Sequence, residues 1–252
     1  HYQGKPVGLL LLCGLFNPMI SQILETTSTS YAPTSLIACV SSITPILVVV
    51  LSILINKDAI PSKQQVFFML VTVSGVFIMN FVGRDLSGAT GLGIALIFSA
   101  VLAIAIHRTL VRRAGRHFTA FEIVYFTTGM GALSFSIETA VMHGLRGDLS
   151  TFFQGLWRAD FIVSVLYMGI GSCVLAFLFL NYSIAHLPIA VSNSTATLST
   201  VISILAGVFI LHEPFRPVDL LGVCLILGGV FGLSFYYLRS ARSGRPDSRD
   251  GR

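Results

Sequence analysis

The chain has 252 residues, 54% of them hydrophobic and only 11% charged, with a formal net charge of +5 and a mean hydropathy of +0.83. A soluble domain carries about 25% charged residues to cover its water-facing surface, so this composition excludes that class and points to a polytopic membrane protein. The positive excess lies in short clusters between apolar runs, without the basic face and aromatic platforms that nucleic-acid binding needs.

A membrane-spanning helix takes about 20 mostly apolar residues, and the sequence predicts eight. The first, 7–24, contains Asn17, Pro18, Ser21 and Gln22, with Glu25 just past its end. The second, 34–55, carries Ser41, Ser42, Thr44 and Pro45. Spans 66–83 and 90–106 follow, then the basic connection His107–His117. Span 118–142 leads to the longest connection, 143–160, where Phe152, Phe153 and Trp157 suit anchors at headgroup level. Span 161–184 ends near Asn181 and Tyr182, span 188–211 opens with Asn193, Thr197 and Thr200 on one helical stripe, and span 218–238 is the last. The Arg-, Ser- and Gly-rich tail from Arg239 reads as solvated and disordered.

Cys13, Cys39, Cys173 and Cys224 each stand alone in apolar runs, the pattern of buried packing residues rather than of metal ligands or disulfides. The start at His1, without a basic n-region and cleavage site, reads as an incomplete N-terminus rather than a signal peptide. Neither a cofactor nor a metal is expected. The sequence has no H-E-x-x-H, G-x-S-x-G or P-loop pattern.

Eight alternating spans place Lys5, Lys57, Lys63, Arg108, Arg112, Arg113, Arg116 and the five tail arginines on one side. Arg84, Arg146, Arg158 and Arg216 fall on the other. Positive residues mark the cytoplasm, so both ends of the chain are expected there, in a plasma-membrane protein.

The segment from Cys13 to Asp58 aligns without a gap on Met168 to Glu213 at a constant offset of 155. Gly14 falls on Gly169, Pro33 on Pro188, Ser42 on Thr197 and Asp58 on Glu213. After a one-residue slip, Ser74-Gly75-Val76-Phe77 falls on Gly228-Gly229-Val230-Phe231. Three spans are therefore duplicated. Two more precede the second copy, so the duplication predicts two further helices ahead of the first. The expected fold is an all-α membrane protein, eight visible helices of ten, in two five-helix repeats of opposite topology. The expected units are 1–83, the last three helices of the first repeat, and 84–238, the whole second repeat, followed by the tail 239–252.

The residues Pro33-Thr-Ser, Thr44-Pro45, Asp58, Leu187-Pro188-Ile-Ala and Leu211-His-Glu213, with Leu225-Ile-Leu-Gly-Gly229-Val, resemble the EamA-type members of the drug/metabolite transporter superfamily. Lys57 and Asp58 stand where the family has Gly-Glu in the first copy. In the second, Thr200 replaces the family's Pro and His212 its Gly. The resemblance implies transport of a small molecule, most plausibly outward, and leaves the substrate open.

Polar groups inside spans are costly and face protein or a wet cavity. The candidate substrate-binding residues are Gln22, Glu25, Ser42, Asn181, Asn193 and Thr197. Pro18, Gln22 and Glu25 share one helical face, and Glu25 could bind a cation or a coupled proton. Its alternative reading is simple hydration at the headgroup level. Ser and Thr stripes have their own alternative, close helix packing. Asp58 and Glu213 read as span-end caps or partners of Lys57, Lys63 or Arg216, and Glu122 as a partner of the cluster Arg112–Arg116. The expected partners are a small-molecule metabolite and the lipid bilayer; self-association is left open. A multipass enzyme acting on a lipid-linked substrate is the alternative class, and would need acids or histidines gathered at one membrane face.

Overall fold

The computed structural model describes residues 5–58, 60–82, 90–146, 158–188, 191–192, 198–199, 201–202, 209 and 217–242, and those residues hold helices and no strand. In chain order they are α1 (Val7–Gly14), a π-helical segment (Leu15–Ile20), α2 (Ser21–Ser28), α3 (Thr34–Ser41), α4 (Thr44–Asn56), α5 (Lys63–Phe81), α6 (Gly91–Ala114) and α7 (Ala120–Arg146). Then come α8 (Ala159–Leu166), a second π-helical segment (Tyr167–Ala176), α9 (Phe177–His186) and α10 (Pro217–Arg242). Among the described residues, six helical stretches are long and apolar enough to cross a membrane: Val7–Ser28, Lys63–Phe81, Gly91–Ala114, Ala120–Val141, Ala159–His186 and Pro217–Arg239. The expected span 188–211 lies largely outside the described residues, as do Phe152, Phe153, Trp157 and Glu213.

The molecule is inside-out relative to a water-soluble domain. Tyr167 is 78% exposed and Phe235 68%, while Arg112 is 6% and Asn181 2% exposed. Large exposed apolar side chains over buried polar ones suit a hydrocarbon surround, where every polar group must find its partner within the protein.

Two spans differ from expectation because proline interrupts them. The first runs to Ser28 rather than 24 and is broken where Asn17 leaves helical geometry (φ −148, ψ 123) ahead of Pro18, whose peptide bond is cis. The second is not one helix over 34–55. It splits into α3 and α4 because Pro45 has no N–H to offer the Ser41 carbonyl. Thr44 Oγ1 donates to that oxygen instead, at 2.5 Å.

Two ends also move. Span 90–106 continues as α6 to Ala114, so His107, Arg108 and Arg112 belong to a helix rather than to a connection. The last helix runs to Arg242, which orders the first residues of the expected tail. Cys13 is buried as expected, but Cys224 is exposed on α10.

Local signals fix the helix starts. Ser62 caps α5 through a reciprocal box with Gln65. Thr90 caps α6 by accepting from Gly93 N, and its own backbone N–H and hydroxyl both donate to the Tyr31 carbonyl at 3.0 Å. That ties the start of α6 to the turn after α2. Helix α6 contributes to three buried clusters: Leu110 and Val111 to one shared with α1, α7 and α9, Ala105 to one shared with α4, α5 and α10, and Ile97 and Ala100 to one shared with α3.

α5 and α10 pack directly on each other through glycines. A Cβ on Gly75 would sit 2.8 Å from the Gly222 carbonyl and 3.0 Å from Ile226 N. One on Gly229 would sit 2.7 Å from the Phe68 carbonyl and 2.8 Å from Thr72 N. Rising numbers in α5 meet falling numbers in α10, so the two helices run antiparallel.

Candidate functional site

The break in the first span governs the site. In a continuous helix the Asn17 N–H would bond to the Cys13 carbonyl. With Asn17 non-helical that oxygen is released, and His107 on α6 takes it up: Nδ1 lies 2.9 Å from Cys13 O. A carbonyl only accepts, so Nδ1 carries the hydrogen and donates, which leaves Nε2 as the ring's remaining polar atom. Asn17 turns its own side chain forward to the start of α2, where Oδ1 accepts from Ser21 Oγ at 2.8 Å.

A cavity of about 410 Å³ opens beside this break. Its volume is that of a small-molecule pocket. The π-helical break supplies Asn17 and Pro18, α2 Gln22, α6 His107, and α9 Phe177 and Asn181. The α7 wall contributes Thr127, Thr128 and Phe135, approaching closely because Gly131 lets the Pro18 ring in; a Cβ there would sit 2.5 Å from Pro18 Cγ. The lining is mostly apolar and, among the described residues, carries no charged side chain.

Two of the expected residues meet here. Gln22 and Asn181 line the same cavity from α2 and α9. Asn181 is 2% exposed, and its Oδ1 has no hydrogen-bond partner in the protein. A buried amide oxygen left unpaired costs about 1–3 kcal/mol, so a native group in that state needs a reason for being there. Glu25 lies on α2 past Gln22, half-buried and outside the cavity lining. Ser42 is buried at the α3–α4 break, also outside the lining. Asn193 and Thr197 fall outside the described residues.

His107, Thr127 and Thr128 line the cavity without standing among the expected site residues. The run from His107 to Arg116 has the composition of a basic connection, which hides the histidine. The available signal was Pro18, whose missing N–H signals a nearby backbone break and a need for a donor.

A second polar cluster lies at the far end of α4. Asp58 pairs with Arg112, Nε to Oδ2 at 2.9 Å, and not with Lys57 or Lys63 as expected. Ser52 Oγ donates to the same carboxylate, and Arg116 approaches its other oxygen at 4.0 Å. Arg112 Nη1 also donates to the Leu187 carbonyl at 2.6 Å. Glu122 caps its own helix by accepting from Thr119 N at 2.7 Å, with Lys5 at 4.0 Å.

Interrupted spans beside a cavity lined by polar side chains are a recurring feature of membrane carriers. The chain belongs to the EamA-like transporter family, whose profile matches residues 2–81 and 91–235, so transport rather than catalysis is its class. It is 27% identical over 203 residues to the uncharacterized transporter YcxC of Bacillus subtilis, a match covering 80% of this chain and 65% of that one. It is 27% identical over 194 residues to the uncharacterized transporter YetK of the same organism, covering 76% of this chain and 57% of that one. A stretch of 60 residues is 40% identical to the multidrug resistance protein EbrB of Bacillus licheniformis, covering 23% of this chain and 50% of that one. The chain thus spans less than two thirds of the length of these relatives. One solved crystal structure superposes with a TM-score of 0.73 at 17% identity, over 92% of this chain and 78% of that one, and shares the fold.

Proposed function

We propose that the protein moves a small polar or amphipathic metabolite across the plasma membrane by alternating access, with the cavity beside Pro18 as its substrate site. The carrying observation is that Gln22 and Asn181, from the first spans of the two sequence copies, line one cavity in which the buried amide oxygen of Asn181 has no protein partner. Glu25, Ser42, Asn193 and Thr197 complete the path in this reading, with Glu25 as the candidate proton-coupling carboxylate.

Two inverted five-helix repeats are the architecture this reading requires, divided near 83 and with eight of ten helices in this chain. Three observations support it. The glycine contacts are reciprocal: Gly75 with Ile226 and Gly222 corresponds, under the sequence alignment, to Gly229 with Thr72 and Phe68. Those helices run antiparallel, as copies related by an axis in the membrane plane must. The π-helical segment Leu15–Ile20 shifts by the offset of 155 onto residues 170–175, inside the second π-helical segment. The basic bias supports cytoplasmic chain ends, and the multidrug resistance relative supports outward movement.

The test is counterflow of a radiolabelled panel of polar and amphipathic metabolites in proteoliposomes, with Gln22→Ala and Glu25→Gln beside the parent protein. Expected are flux lost in Gln22→Ala with an unchanged elution profile, and loss of the pH-gradient response alone in Glu25→Gln. No saturable flux for any panel member removes the carrier reading, and an unchanged gradient response removes Glu25 from coupling.

A further inference from the structure

The cavity's chemistry narrows what it would hold. Its described lining has no Lys, Arg, Asp or Glu, and the span 188–211, largely outside the described residues, contains none in its sequence either. Among these residues a charged ligand would meet no counter-ion, and would shed water at a cost of several kcal/mol per charge. What the lining does offer is three side-chain amides, Asn17, Gln22 and Asn181, each with one acceptor oxygen and one NH2 donor; Asn17 already spends its oxygen on Ser21. Asn181 has an unpartnered Oδ1 and is 98% removed from the surface. Gln22 lines the same chamber, whose other walls include Pro18, Phe135 and Phe177. An amide is complementary to a second amide: donor meets acceptor and acceptor meets donor in one planar pair. A carboxylate would set oxygen against Oδ1, and an ammonium would satisfy the oxygen but leave its own charge unbalanced.

We infer that the cavity selects an uncharged ligand with an aromatic or aliphatic body and a carboxamide-like edge, paired to the Asn181 amide and oriented by Gln22. The inference rests on the cavity being the substrate site and goes further by fixing the ligand's charge and hydrogen-bonding face. Glu25, one turn past Gln22, is the competing feature, since it would favour a cation.

The experiment compares benzamide, benzoate and benzylammonium at pH 7, one ring carrying a neutral, an anionic or a cationic head. Binding to the full chain in nanodiscs is measured at equilibrium by saturation-transfer NMR, with excess unlabelled ligand correcting for lipid uptake. Benzamide is expected to bind at least about tenfold more tightly than either ion, the factor of one hydrogen-bond pairing left unmade. Asn181→Leu should lose that preference, and Asn181→Asp should transfer it to benzylammonium. Equal or tighter binding of either ion by the parent protein overturns the inference, as does absence of benzamide binding or a preference untouched by both variants. If Asn181→Leu does not fold, the parent ranking and Asn181→Asp still decide. Binding needs no turnover, so the two readings fail separately. A protein that binds benzamide and moves nothing loses the carrier reading alone, and one that carries charged solutes loses this inference alone.

Discussion

Arg112 on α6 and Asp58 at the end of α4 form an ion pair of 2.9 Å, with side chains only 6% and 9% exposed. The pair joins the end of α4 to the last turn of α6, and Arg112 extends the link to the carbonyls of Leu187 at 2.6 Å and Ile184 at 3.4 Å. It therefore clamps three segments at one end of the bundle. Burial explains why α6 can run past His107 into a basic stretch: the charge is neutralised inside the protein instead of reaching for water.

Removing either partner strands the other without solvent. Asp58→Asn and Arg112→Gln should each cost about 3–5 kcal/mol, the usual loss for a broken buried pair. Arg112→Gln should cost more, because the Leu187 carbonyl is orphaned too. The double variant should lose clearly less than the sum. Unfolding titrations in mixed micelles check the cycle; strict additivity would show that the two side chains act independently.

Lys57 adopts a left-handed conformation (φ 56) directly after α4. Glycine takes that geometry without the steric cost that a Cβ brings, which accounts for the family's Gly at this position. Lys57→Gly should raise stability by about 0.5–1 kcal/mol, seen as a higher apparent melting temperature in detergent. A fall would mean that the lysine side chain contributes more than its backbone costs.

The α5–α10 interface makes a comparative prediction. Gly75→Ala and Gly229→Ala each drive a methyl into opposing backbone and should cost about 1–3 kcal/mol, to similar extents because their surroundings correspond. Gly228 has no neighbour within 4 Å of a built Cβ, so Gly228→Ala should be neutral or gain up to about 1 kcal/mol of helix propensity. Equal effects at Gly228 and Gly229 would contradict the packing described.

His107 satisfies the Cys13 carbonyl released at the Asn17 break. His107→Phe removes the donor while keeping a ring and should cost about 1–3 kcal/mol, with His107→Gln recovering part. Hydrogen exchange at Asn17 and Ser21 should rise in the Phe variant if the break loosens; unchanged protection would show that the bond does not hold it.

Sequence alone decided the membrane class and the place of six apolar spans, because hydrocarbon permits little but apolar helices. It also singled out Gln22 and Asn181, since an amide within a span is costly wherever it lies. What only the tertiary structure decided is which polar groups meet. Asp58 and Arg112 are 54 positions apart in the chain, and His107 and Cys13 are 94 apart; periodicity along one helix carries no information about such pairings. The same holds for the two proline breaks. Pro18 and Pro45 announce breaks that free carbonyls nearby, but that a distant histidine meets the Cys13 oxygen and the adjacent Thr44 hydroxyl the Ser41 oxygen depends on which surfaces packing brings together.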